Sequence, residues 1–169
     1  MDFALGVLLF VTSLAADQPA RDGSHIRTMD SRIRAEIDEG LARSSLFRDL
    51  VARLDASDVI VYVEPECTMS PRLFGRLTFM AAGGGRRYVN VRISCALNET
   101  QQIAALGHEL RHAVEIADAP SIVNEASLAA EYSRIGFASH AVRKGSGYET
   151  YAAKDAAQRV WQELSRTAE

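Results

Sequence analysis

Apolar side chains recur three or four residues apart in the first part of the chain, which predicts two helices. The first runs from residue 29 to about residue 40. The second follows Ser44 or Ser45, either of which can accept hydrogen bonds from the free N–H groups at a helix start, and it ends near Leu54. Each helix would turn one apolar stripe toward a core.

Runs of β-branched and alternating residues then predict three strands. Residues 59–64 form a buried strand that Pro65 ends, and residues 73–82 and 87–94 form the other two. Residues 83–85 are three glycines that join the last two strands, because glycine adopts the positive φ of a tight turn without a steric penalty. The sequence therefore predicts a β-hairpin in the middle of the chain.

Helical spacing returns after the hairpin. Asn98 caps a long helix whose apolar face continues to Ala117. The next helix begins at Ser121 or Asn124 and closes at Gly136.

The C-terminal part combines a loop over residues 137–147 with a last helix over residues 148–165. The order of elements is helices, then a small antiparallel sheet, then helices, and this order predicts an α+β fold. In that fold the hairpin packs on the long helix and on the helices that follow it.

Composition and net charge indicate an ordinary globular protein and argue against nucleic-acid binding. Hydrophobic residues make up 47% of the chain and charged residues 24%, which is the balance of an ordinary globular protein. The formal net charge is -3, and the arginines are scattered among acidic residues. A nucleic-acid-binding protein would carry a concentrated basic face, so we expect no nucleic-acid partner. The length suffices for one domain, which we place over residues 31–169.

Residues 1–16 form a short apolar run that ends in small side chains, which is typical of a cleaved export signal. The run is shorter than the about 20 residues that a membrane-spanning helix needs. We predict an exported protein, periplasmic or secreted, with no stable membrane span after cleavage, and an anchored protein if the signal is retained. Residues 17–30 are polar and turn-rich, and we expect a flexible lead-in there.

Cys67 and Cys95 are the two cysteines of the chain, and they flank the predicted hairpin. In an oxidising compartment an even number of cysteines favours a disulfide, which would clamp the outer ends of the hairpin. The alternative is a pair of buried free thiols that act as small apolar side chains. The export signal makes us favour the disulfide.

The long helix after the hairpin carries the candidate chemistry. His108 and His112 are four residues apart, so their imidazoles lie on one face of a helix and can bind one ion. Zinc binds neutral imidazole nitrogen readily and prefers four ligands. Glu109 lies beside this face, where a carboxylate can take a proton from water that the metal activates. These residues predict a zinc site with Glu109 as general base.

The motif His-Glu-Leu-Arg-His, with Glu115 after it, resembles the active-site helix of the zincin metallopeptidases. The order of elements is similar to that of the gluzincins, which take a glutamate as third ligand. The chain also resembles a family of small exported bacterial proteins of uncharacterised activity, over roughly residues 59–160. The shared pieces are Cys67, the hairpin, the motif helix, residues 134–136 and residues 148–153. The resemblance implies a metal-dependent hydrolase that acts on a peptide or protein.

The third zinc ligand is open among three glutamates. Glu149 begins Glu-Thr-Tyr-Ala-Ala, which resembles the Glu-x-x-x-Ala of gluzincin ligand helices, and we favour it. Glu125 stands in an Asn-Glu-Ala stretch similar to that of some gluzincins. Glu131 has a spacing from His112 that some gluzincin aminopeptidases use.

Glu115 continues the face of the two histidines toward the end of the helix. We expect it either to accept a hydrogen bond from a ligand imidazole or to be a solvated residue paired with Arg111. The strand beside the site can bind a substrate by pairing along its edge.

A second interpretation involves no catalysis. The chain would then be an exported binding domain of the cell envelope, with a structural metal or none. Four protein ligands and no open position would favour this interpretation, whereas three ligands and a water would favour an enzyme.

Overall fold

A computed structural model describes residues 23–138 and 147–166 of the chain. In these ranges the helices are α1 (Ser31–Arg43), α2 (Ser45–Asp55), α3 (Glu99–Asp118), α4 (Glu125–Ile135) and α5 (Tyr151–Arg166). The strands are β1 (Ile26–Arg27), β2 (Val59–Glu66), β3 (Gly75–Gly83), β4 (Arg86–Ser94), β5 (Phe137–Ala138) and β6 (Tyr148–Glu149). The predicted export signal lies outside the described residues.

Polar caps start the helices where the sequence predicts them. The Ser44 hydroxyl accepts a hydrogen bond from Phe47 N at 3.0 Å, which opens α2. Asn98 and Gln101 bond reciprocally to each other's backbone N–H groups at the start of α3, and Asn124 caps α4. The predicted helices before and after the hairpin are therefore confirmed.

The main sheet has the strand order β1-β2-β4-β3 and is mixed, whereas we expected it to be antiparallel. β3 and β4 form the predicted antiparallel hairpin, whose turn has Gly84 at φ +60° and Gly85 at φ +73°. The register of β3 shifts between Phe79 and Ala81, which is a β-bulge. β2 pairs in parallel with β4, and β1 pairs in parallel with β2. The α+β class is confirmed.

The parallel pair arises because β4 lies between β2 and the outer strand β3. The alternating residues Val89, Val91 and Ile93 of β4 are fully buried, while most of β3 is exposed. A central place in the sheet therefore buries the more apolar strand of the hairpin.

β2 continues through Pro65 to Glu66, so the prediction that Pro65 ends this strand is wrong. Proline has no N–H to donate to a neighbouring strand. The loss is tolerated because β1 covers only Val61 and Tyr62, which leaves β2 an edge strand at Pro65.

One core lies between the sheet and the helices, and α3 is central to it, in contact with the sheet, α2 and α5. The largest fully buried side chains of this core are Ile33, Phe47, Leu54, Ile93, Ile103, Leu106, Leu110, Ile116, Ile122 and Leu164. Within the described ranges, no helix has both the length and the apolar composition that crossing a bilayer requires.

Arg87 of β4 holds the C-terminal end of α3. Its buried guanidinium donates hydrogen bonds to the carbonyl oxygens of Ile116 at 2.6 Å and Ala119 at 2.8 Å. Asp58 accepts two more from the same group, and these hydrogen bonds lower the pKa of Asp58. A cation at the negative end of a helix dipole is favourable, so α3 is fixed against the sheet at this end.

Cys67 and Cys95 form the disulfide that we favoured, with their Cα atoms 4.7 Å apart. Cys67 directly follows β2, and Cys95 directly follows β4. Because these two strands are parallel neighbours, the bridge joins β2 to β4 at one end of the sheet. The expectation that it clamps the two outer ends of the hairpin is wrong, because Cys67 follows β2 and does not adjoin β3.

Two segments that we expected to be irregular contain paired strands. The described part of the lead-in holds β1, whose Ile26 pairs with Val61 of β2. The predicted loop over residues 137–147 holds β5, which pairs with β6. The last helix begins at Tyr151, so Glu149 belongs to β6 and not to that helix. Strands of two residues are too short to produce an alternating pattern.

Candidate metal centre

His108 and His112 extend from one face of α3 toward Glu149 of β6. Glu149 Oε1 lies 3.2 Å from His108 Nε2 and 3.5 Å from His112 Nε2. One ligand atom from each of the three side chains lies within 4.8 Å of the others. Among residues 23–138 and 147–166, no other group of three such side chains is placed to hold an ion.

The β5–β6 pair brings Glu149 to the histidines. The expectation that Glu149 opens a ligand helix is wrong, because α5 starts two residues later and is capped by Thr150, whose Oγ1 accepts from Ala153 N at 3.1 Å. A Cβ on Gly136 would lie 2.6 Å from the Glu149 carbonyl oxygen and 2.9 Å from that of Tyr132. Only a residue without a side chain allows this close approach, which sets the position of β6.

The two alternative third ligands lie elsewhere. Glu131 forms a salt bridge with Arg134 on the same helix, α4. Glu125 is exposed in the first turn of α4. Neither belongs to the group that includes His108 and His112.

Glu109 is buried between the two histidines and the outer strand β3. A Cβ on Gly75 would lie 2.8 Å from Glu109 Oε1, so β3 can approach this carboxylate only because residue 75 is glycine. Burial raises the pKa of Glu109 above its usual value, and the neighbouring His108 and His112 offset this only in part. The carboxylate thus lies beside the two imidazoles, at the place where the sequence predicts a general base.

A chain of hydrogen bonds orients the His112 ring. His112 Nδ1 lies 2.9 Å from Glu115 Oε2, and Thr150 Oγ1 donates to Glu115 Oε1 at 2.8 Å. The Tyr132 hydroxyl donates to the backbone carbonyl of His112 at 3.1 Å. Because a carboxylate faces Nδ1, this nitrogen carries a proton, and Nε2, which faces Glu149, is the atom that would bind an ion. Glu115 is thus buried and contacts the imidazole at 2.9 Å, and its other oxygen, Oε1, also lies 3.9 Å from Arg111 Nε.

Sequence reasoning missed Thr150 and Tyr132. A threonine directly before a helix is a capping signal, and its position next to Glu149 could have drawn attention to it. Tyr132 gave no such signal, because the sequence pattern assigns it only to the apolar face of α4.

Three carboxylates around the imidazoles favour a positive charge in the site. Burial lowers the pKa of His112, but hydrogen bonds with Glu115 and Glu149 outweigh it and raise the pKa to about 9. Burial also raises the pKa of both glutamates, whereas their hydrogen bonds with the histidines bring it below the usual range. The same charge balance that holds a proton here is suited to hold a metal cation.

Two cavities meet at these side chains and form one cleft. They share the lining residues Leu73, Gly75, His108, Glu109 and Glu149. The narrow arm, of about 240 Å³, extends past Leu77, Leu128, Tyr132 and Tyr148. The wide arm, of about 500 Å³, extends past Phe74, Ala104, Lys154, Ala157 and Trp161.

Comparisons with protein-family models, with curated proteins and with solved structures find no match to this chain. The likeness to zincins therefore rests on the motif and on the order of elements. An inference about function has to come from the chemistry of the residues in the cleft.

Proposed function

We propose that this chain is a zinc-dependent hydrolase that cleaves peptide bonds, with Glu109 as the general base. The observation that carries the proposal is the convergence of His108, His112 and Glu149 beside Glu109 at the centre of an open cleft. We further propose that the protein acts after export, because its disulfide suits an oxidising compartment.

The donor atoms fit zinc in kind, and the carboxylate lies at a suitable distance from each imidazole. Zinc binds nitrogen and oxygen at about 2.0–2.2 Å in a tetrahedron, so two of its ligand atoms are about 3.3–3.5 Å apart. The separations of 3.2 Å and 3.5 Å between Glu149 Oε1 and the two Nε2 atoms agree with this spacing. Two imidazoles and one carboxylate are a ligand set of catalytic zinc sites, in which the fourth position is open to water.

Each residue of the site then has a defined task. Zinc bound there would lower the pKa of a water molecule and polarise the substrate carbonyl. Glu109 would take the proton from the attacking water and pass it to the leaving amine. Its burial against Gly75 holds the carboxylate in place, and Glu115 keeps His112 Nε2 turned toward the ligand group.

A peptide substrate is supported by the position of β3. This strand forms one edge of the main sheet, and its residues 75–77 line the cleft. An extended peptide can pair with such an edge through backbone hydrogen bonds. A peptide bound in this way would pass directly over Glu109.

The open cleft favours catalysis over a structural metal. Structural zinc sites are closed by four protein ligands. In the described part of the chain three donors converge, and both arms of the cleft reach them. Substrate and water would therefore have access to the metal.

The zinc content of the purified chain tests the metal site. We expect an equimolar amount of zinc by mass spectrometry after dialysis against zinc-containing buffer. Glu149→Gln should weaken zinc binding at least about tenfold, because the ligand charge is lost. Glu131→Gln, outside the ligand group, is the matched control and should bind zinc as the parent chain does. A parent chain that stays metal-free would refute the proposal.

Hydrolysis of a peptide mixture, followed by mass spectrometry, tests the base. Glu109→Gln should retain zinc while kcat/KM falls about 10²- to 10⁴-fold. Glu99→Gln lies on the exposed first turn of the same helix and should keep full activity. Undiminished hydrolysis by Glu109→Gln would contradict the role of this residue.

A further inference from the structure

We propose that the wide arm of the cleft binds a large apolar side chain of the substrate, and that Lys154 and Arg72 bind a carboxylate next to that side chain. The inference rests on the proposed function, and it adds a substrate class to it. The wide arm reaches the candidate metal centre directly, because His108, Glu109 and Glu149 are among its lining residues.

The walls and floor of the wide arm are suited to a bulky apolar group. Phe74, just before β3, and Trp161 of α5 line the arm, yet they are 55% and 50% exposed. Ala104, Ala105 and Ala157 line the arm with small side chains, which leave room for a bulky group. A ligand side chain placed there would remove apolar surface of both rings from water, at about 25 cal/mol per Å².

The wide arm is large enough to admit a bulky side chain with a polar group beside it. It measures about 500 Å³, about twice the narrow arm, and small-molecule sites range over about 300–1,000 Å³. The residue next to the cleaved bond is the one that would enter, because the arm begins at the candidate metal centre.

The charged residues of the wide arm indicate which group of the substrate would bind beside that residue. Apart from the two glutamates of the site, the charged lining residues of the wide arm are Arg72 and Lys154. Neither cation forms an ion pair with any residue that the structure describes. Lys154 Nζ lies over the Phe137 ring, 5.6 Å from its centroid, and this contact does not neutralise the charge of the ammonium. Two cations without an ion-pair partner among the described residues favour a carboxylate, either the C-terminus of a peptide or an acidic side chain of the next residue.

Trp161 allows a test that needs no catalysis. It is the only tryptophan of the chain, so its fluorescence reports occupancy of the wide arm. We expect a saturable change when the full chain is titrated with N-acetyl-phenylalanine. N-acetyl-alanine should bind at least about tenfold more weakly, since most of the apolar area is missing. N-acetyl-phenylalaninamide, without the carboxylate, should bind about threefold more weakly, as for an exposed ion pair.

Substitutions test the carboxylate contact and the apolar space of the wide arm separately. Lys154→Met should reduce the preference for the acid over the amide, and Lys154→Met combined with Arg72→Met should abolish it, whereas Arg159→Met, on the same helix as Lys154 but outside the arm, should keep it. Ala157→Phe should fill the arm and block N-acetyl-phenylalanine. The titrations are made with and without zinc. The preference for the acid could instead disappear when zinc is removed and survive in Lys154→Met. That result would assign the carboxylate to the metal and would overturn the role of Lys154.

A fourth probe, N-acetyl-phenylalanyl-glutamic acid with only its α-carboxyl amidated, separates the sources of the carboxylate, because the glutamate side chain then carries the one carboxylate of the probe. Binding as tight as that of N-acetyl-phenylalanine would favour an acidic neighbour, and binding no better than that of the amide would favour a free C-terminus. Equal binding of the phenylalanine and alanine acids, or of the phenylalanine acid and amide, would overturn the proposal. If a chain that binds no zinc shows the expected preferences, the inference about the wide arm is upheld and the proposed function is contradicted. A chain that binds zinc and hydrolyses peptides but shows none of these preferences would overturn the inference about the wide arm and uphold the proposed function.

Discussion

Replacing Glu115 by glutamine tests how much the orientation of His112 contributes to zinc binding. Glu115 Oε2 lies 2.9 Å from His112 Nδ1, and Oε1 accepts from Thr150 at 2.8 Å. Glutamine keeps the size of the side chain, but it has no charge and offers only one acceptor oxygen. We expect the variant to fold and to hold the His112 ring less firmly.

The magnitude follows from the two kinds of hydrogen bond. A bond to a charged group contributes about 1.5–3 kcal/mol, and a neutral one about 0.5–1.5 kcal/mol. Both partners are buried, His112 being 6% and Glu115 8% exposed, so water screens the interaction little. The loss of about 1–1.5 kcal/mol corresponds to zinc binding that is about five- to tenfold weaker.

Competition with a zinc-binding dye at neutral pH measures this difference. Asp118→Asn is the matched control, since Asp118 is also an acid of α3 but pairs with Arg53 at the surface, at 2.8 Å. It should bind zinc as the parent chain does. If Glu115→Gln also retained the affinity of the parent chain, or if Asp118→Asn lost as much, the assigned role of Glu115 would be refuted.

Three further predictions concern the supports of the site and the fold. Gly136→Ala would bring a Cβ to 2.6 Å from the Glu149 carbonyl oxygen, so zinc affinity should fall about tenfold or more while circular dichroism stays unchanged. Burial raises the pKa of Glu36 from 4.5 to about 7, so the folded state binds this proton more tightly and stability should fall as pH rises across that interval. In urea titrations near about pH 8, Glu36→Gln should be about 3 kcal/mol more stable than the parent chain, and equal stability would contradict this. Reduction of the Cys67–Cys95 bridge, which spans a separation of 28, should lower the free energy of unfolding by about 3.5 kcal/mol, and an unchanged midpoint would argue against it.

Helices were predictable because their causes are local. Ser44 and Asn98 cap helices through atoms three residues away, and such signals are present in a short window of sequence. The spacing of His108 and His112 likewise places both rings on one face, whatever the rest of the fold is. This part of the candidate site follows from a single helix.

Strand order was not predictable in the same way, because it depends on residues far apart in sequence. The pairing of Val61 with Ile26 on one side and Val89 on the other has no local signature. Pro65 illustrates the difficulty: its missing N–H argues against a strand, and only the short reach of β1 makes it acceptable.

Glu149 lies between these cases. A motif resemblance favoured it as the third ligand, and the structure brings it to the two histidines. The resemblance placed it on a helix, however, whereas Gly136 and the β5–β6 pair position it on a strand. The contact of Thr150 with Glu115 depends on how α5 packs on α3, which no sequence window contains.

The bulge in β3 bears on self-association. An unpaired strand edge accepts any extended chain, including another copy of the same protein, and long flat edges lead to aggregation. Because the register shifts between Phe79 and Ala81, the regular part of the β3 edge is confined to residues 75–79, close to Glu109. A bulge twists the remainder away, so a second folded copy meets too short an edge to extend the sheet. A flexible peptide needs only a few residues of edge. The β3 edge therefore suits transient binding of a short peptide better than stable pairing with a second folded copy.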